Sequence, residues 1–88
     1  MRKEEIFYDL VKDIKKQRTG RLDGKEIVSP VGRIYLYGPR RLREEFVSYL
    51  RKSQLPILSV AQTNDRGIVL FNDGTRTYDI HLDRFWSF

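Results

Sequence analysis

Along the chain, the first periodic stretch of apolar positions runs from about Arg2 to Arg18, where Ile6, Phe7, Leu10, Val11 and Ile14 fall on one helical stripe. Tyr8 lies off that stripe. Glu4, Glu5 and Asp9 come early and Lys12, Lys15, Lys16 and Arg18 come late, the order that a helix dipole favours. Thr19-Gly20 reads as the helix end and Arg21-Leu22-Asp23-Gly24 as a turn. A hairpin is predicted next, with strands Lys25 to Val28 and Arg33 to Tyr37 around Ser29-Pro30-Val31-Gly32, whose proline and glycine positions suit a type I turn. Period two puts Ile34 and Leu36 on one face of the second strand and Arg33, Tyr35 and Tyr37 on the other.

Gly38-Pro39 breaks this strand and starts a second helix, from about Arg40 to Ser53, with Leu42, Phe46, Tyr49 and Leu50 as its buried stripe. The final third is strand-rich. Ile57 to Thr63, Ile68 to Phe71 and Thr75 to Leu82 are separated by Asn64-Asp65-Arg66-Gly67 and Asn72-Asp73-Gly74, both strong turn signals. The run Ile68-Val69-Leu70-Phe71 is apolar on both faces, as a central strand requires. In the last strand Tyr78, Ile80 and Leu82 alternate inward, and Thr77, Asp79 and His81 outward. The order α-β-β-α-β-β-β predicts a small α+β fold, an antiparallel or mixed sheet with two helices on one face.

Length and composition narrow the function classes. At 88 residues the chain is read as a single α+β domain spanning 1–88. A domain of this size buries only somewhat more than roughly 60% of its unfolded surface, so function is expected on an exposed face rather than in a deep pocket. Zero cysteines exclude a disulfide framework and thiolate metal sites, and favour a reducing, cytoplasmic setting. No apolar run reaches the ~18 residues of a membrane span, and Met1-Arg2-Lys3-Glu4-Glu5 leads into an amphipathic stretch rather than a signal-peptide core. Net charge is +5, unevenly spread. Met1 to Gln54 holds 14 Lys/Arg against 8 Asp/Glu, a surplus of six, whereas Leu55 to Phe88 holds 3 against 4. A basic portion joined to a near-neutral one points to an anionic partner, although a modest surplus also serves solubility.

Three groups of residues could carry recognition. The segment from Arg33 to Arg43 sets Tyr35 and Tyr37, which could stack on unpaired bases, beside a helix start bearing Arg40, Arg41 and Arg43. Helix N-termini attract anions and guanidinium groups pair with phosphate, so Arg33, Arg40, Arg41 and Arg43 are candidate anion ligands. The plainer alternative pairs Arg40 with Glu44 and Arg41 with Glu45 at i,i+4. Lys12, Lys15, Lys16 and Arg18 form a second candidate strip for a phosphate backbone, or simply complement the helix dipole and pair with Asp9 and Asp13. Phe85, Trp86 and Phe88 either seal the fold or form a protein interface, including a homodimer contact.

Catalytic chemistry is thin. His81 is the single histidine, with Asp79 two positions earlier on the same strand face, and no metal-ligand spacing, nucleotide-binding glycine motif or nucleophile elbow is present. No enzyme activity, metal or cofactor is therefore expected. The favoured expectation is a binding module for nucleic acid, RNA or single-stranded DNA. The alternative is a small modulator, of the kind a virus or mobile element encodes, acting on an acidic protein or ribonucleoprotein. A minimal nuclease centred on His81 is the third reading.

Overall fold

The computed structural model describes residues 2–18, 31–72 and 76–85. Its elements are α1 (Lys3–Arg18), β1 (Val31–Tyr37), α2 (Arg40–Lys52), β2 (Ile57–Gln62), β3 (Gly67–Asn72) and β4 (Thr77–His81), closed by a 3-10 turn over Leu82–Phe85. Together they form an α+β fold: a four-stranded mixed sheet with two helices. The expected strand Lys25 to Val28 and the turns around 19–24 and 73–75 lie outside the described residues.

The strands lie in the order β2-β3-β1-β4. β3 pairs antiparallel with both β2 and β1, while β4 runs parallel to β1. The doubly apolar β3 is an interior strand, as its composition requires. One expectation is corrected. Val31 and Gly32 belong to β1 and pair with Asn72 and Phe71, so they are strand residues rather than the end of a hairpin turn. From Arg33 to Leu36 both edges of β1 are already taken, by β3 and β4. β3 and β4 do not pair with each other despite the turn signal between them, because β1 lies between.

One face of the sheet is dry. Ile34 and Leu36 from β1, Val69 and Phe71 from β3, and Ile80 from β4 are buried in a single core with both helices. α1 contributes Phe7, Val11 and Ile14; α2 contributes Leu42, Phe46, Val47 and Leu50. The Phe7 and Phe46 rings meet edge to face, 5.0 Å apart. Lys3 Nζ lies 2.6 Å from Glu45 Oε2, and Val11 and Lys15 share a groove with Lys52, so the helices run side by side in the same direction. Leu82 is fully buried, but in the 3-10 turn rather than on β4.

Gly38 links β1 to α2 at φ +128°, where side-chain-bearing residues are strained. Gly32 is required for a different reason. It sits opposite Phe71 in the β1/β3 ladder, and a Cβ there would lie 2.4 Å from the Phe71 ring. Gly32→Ala therefore forces Phe71 from its site and should destabilise the domain by about 1–3 kcal/mol, as overpacking does. A denaturant midpoint equal to that of the unaltered chain contradicts this packing; Phe71→Leu in the same chain should recover part of the loss.

Candidate functional site

The alternation that buries Ile34 and Leu36 sends Arg33, Tyr35 and Tyr37 to the opposite face of the sheet, which no described helix covers. Register places Tyr35 beside Ile68 and Asp79, and Tyr37 beside His81. Arg33 stands between Leu70 and Thr77. Neighbouring side chains organise the two tyrosines. The Arg66 guanidinium carbon lies 4.7 Å from the centroid of the Tyr35 ring, a cation–π contact. The Tyr37 and His81 rings stack at 4.6 Å and 14°, and the Tyr37 hydroxyl donates to Asp79 Oδ1 at 3.5 Å.

The face is thus a strip of π surfaces with two guanidinium groups, one carboxylate and the half-buried apolar side chains of Ile68 and Leu70. Both tyrosines are half-buried, so their orientations are set by packing rather than by solvent. A ring fixed in this way loses little entropy when a planar partner stacks on it. Arg66 and the ring-stacking role of His81 were not anticipated from sequence. Arg66 precedes Ile68 by two positions and shares its strand parity, but its meeting with Tyr35 follows from the β1/β3 register, which no local pattern reveals.

The start of α2 differs from expectation. Pro39 is its N-cap and provides no side-chain cap bond. Arg40 pairs with Glu44 at 3.3 Å, and Arg41 reaches Glu45 at 4.0 Å, the i,i+4 arrangement. Both arginines remain exposed, so each pair holds them only loosely, at about 0.3–0.5 kcal/mol. Arg43 is corrected outright: it is 2% exposed and belongs to the interior. Its guanidinium donates to the backbone carbonyls of Thr63 (3.2 Å) and Asn64 (3.4 Å), while its Nε is buried without a partner. Arg43 therefore ties α2 to the β2–β3 loop instead of offering charge to a ligand. That loop is closed from within by Thr63, whose hydroxyl accepts from the Arg66 N–H at 3.0 Å and donates to the Arg66 carbonyl at 2.9 Å. Anchored at both levels, the loop delivers Arg66 to Tyr35.

The α1 lysines stand elsewhere. Lys12 and Lys15 line a groove of about 360 Å³ with Tyr8, Tyr49 and Lys52, at the far end of α2 from Arg40. Lys16 is exposed on α1. Arg18 closes α1, but its side chain, like that of Phe85 and the whole of Trp86 and Phe88, lies outside the described residues. Twelve helical steps separate Arg40 from Lys52, about 18 Å, so the two basic clusters do not merge into one patch. No group of three or more His, Asp or Glu side chains among the described residues is placed to hold a metal ion, and no described helix is long and apolar enough to cross a membrane.

Replacing Arg43 by Met keeps the stem and removes the donors, leaving two loop carbonyls without their partner. The expected cost is about 1–3 kcal/mol, read from chemical denaturation. Arg43→Lys retains the charge but not the planar fork and should fall between the two. Equal stability of all three proteins would show that the loop holds itself. Comparison with known protein families, with characterised proteins and with solved structures finds no match for this chain.

Proposed function

We propose that this protein is a nucleic-acid-binding module that takes unpaired RNA or single-stranded DNA across the open face of its sheet. The observation that carries the reading is the convergence, on one sheet face that no described helix covers, of Tyr35 and Tyr37 with Arg33, Arg66 and His81. Bases stack on aromatic rings and on guanidinium planes without demanding a sequence, whereas a duplex hides the same surfaces. In this reading Tyr37, backed by His81, and Tyr35, backed by Arg66, each receive a base. Arg33, two positions before Tyr35 on the same strand face, offers its guanidinium to the phosphate that flanks the base on Tyr35.

Arg40 and Arg41 stand at the rim, at the end of the sheet where β1 hands over to α2. Loosely tethered to their glutamates, they exchange those partners for phosphate at little cost. Lys12, Lys15, Lys16 and Arg18 add to the long-range attraction of a chain of net charge +5. The module acts without catalysis: His81 is engaged as a stacking partner, and the carboxylate nearby, Asp79, is engaged by the Tyr37 hydroxyl.

A labelled single-stranded oligonucleotide, titrated by fluorescence anisotropy at a series of salt concentrations, tests this reading. Affinity should fall linearly in log–log form as counterions are released, and Arg33→Glu and Arg66→Glu should each flatten the slope by about one. Tyr35→Ala and Tyr37→Ala should each cost about 1–3 kcal/mol of binding with the fold intact. Binding that is absent, independent of salt or indifferent to both tyrosines rejects the proposal. Capture of an acidic protein on the same face would instead favour a modulator, for which the exposed Leu58 and Val31 offer apolar contact.

A further inference from the structure

We propose that the groove between α1 and the C-terminal end of α2 docks an acidic protein segment that carries an apolar side chain among its carboxylates. The groove lies in the helical layer, away from the open sheet face, and stands independently of the reading above. Val11 and the half-buried Tyr49 ring, itself packed 5.7 Å from Phe7, give it an apolar lining, and Tyr8 adds a ring that is 58% exposed. Lys12, Lys15 and Lys52 bring three ammonium groups to the same groove. No described acidic residue lines it, and none of these three lysines makes an ion pair with a described carboxylate.

The helix dipoles do not account for that charge. Each helix end carries about half an elementary negative charge, so two ends offset about one of the three ammonium groups at most. The surplus is complementary to an anion. Its shape selects the kind of anion: a concavity of about 360 Å³ with apolar walls and a cationic rim accepts one or two apolar side chains flanked by Asp or Glu. A phosphate backbone, by contrast, needs an extended track of charge and has no aliphatic group for the walls. An exposed tyrosine beside a partly buried one also suits a protein anchor, since aromatic residues dominate the centres of such interfaces.

The probe is a fluorescein-labelled peptide of Asp and Glu residues around a central Leu-Phe pair, titrated into the full chain while backbone amide shifts are recorded. Binding is expected, with shifts centred on Tyr8, Lys12, Tyr49 and Lys52. Lys12→Glu and Lys52→Glu should each weaken it about tenfold, and Tyr8→Ala should weaken it with the charges intact. A peptide with Ser in place of Leu-Phe should bind less tightly, and one with Lys in place of each acid not at all. A single-stranded oligonucleotide should leave the peptide bound. No binding at low salt, shifts that map to the open sheet face, or displacement of the peptide from the groove by the oligonucleotide would each overturn the assignment. Because Tyr35→Ala and Tyr37→Ala report on the sheet face alone, failure of one surface is distinguishable from failure of the other.

Discussion

The position of β1 inside the sheet is the constraint from which the rest follows. Ile34 and Leu36 have no solvent exposure, and each lies in a strand bonded on both sides. A slip of one residue would bury Arg33, Tyr35 and Tyr37 and expose the centre of the core, so register is fixed by burial as well as by two ladders. The aromatic face is therefore a consequence of core formation: the same alternation that dries one side obliges the polar and aromatic residues to occupy the other. Because β1 is interior, its tyrosines acquire neighbours from both sides, Arg66 from the loop that leads into β3 and His81 from β4.

The three arginines that open α2 illustrate how a fold manages unfavourable charge. Cations at a helix start oppose the dipole by about 0.3–1 kcal/mol each at exposed sites. Arg43 escapes that conflict by turning inward, where two carbonyl acceptors offset its desolvation through charge-assisted bonds of about 1.5–3 kcal/mol each. Arg40 and Arg41 stay in water with i,i+4 partners. Glu45 also takes Lys3 from α1, so the acidic residues of α2 draw the first helix and the helix start together. The helix start is thereby largely satisfied from within.

Much of this was legible in the sequence because periodicity is local. The inward stripe of α1, the alternation of β1 and β4 and the interior character of β3 each follow from spacing over fewer than twenty residues. Strand neighbours do not. Asn72-Asp73-Gly74 has the chemistry of a tight hairpin, yet β3 and β4 flank β1, because a third strand from far upstream fills the place between them. Arg43 departs from its sequence pattern for a related reason. Charge argues for the surface, but Arg43 stands three, four and seven positions before Phe46, Val47 and Leu50, all buried. With Val47 in the stripe, the buried arc of α2 includes Arg43. The stacking of Arg66 on Tyr35 depends on the register between β1 and β3, strands with α2 and β2 between them in the chain, and has no local signal.

The separation of the basic clusters bears on how the domain presents itself to anions. Screening acts over about 8 Å at physiological ionic strength. The lysines beside Lys52 and the arginines at the start of α2, about 18 Å apart along the helix, are then electrically independent in contact. Near 0.01 M salt the screening length grows to about 30 Å, exceeding that separation, and the whole surplus of charge acts together. The domain is one cation to a distant polyanion in dilute buffer and two separate surfaces in physiological salt. On the two proposals above, discrimination between partners rests on what accompanies the charge: flat stacked rings on the sheet, and a walled apolar groove between the helices.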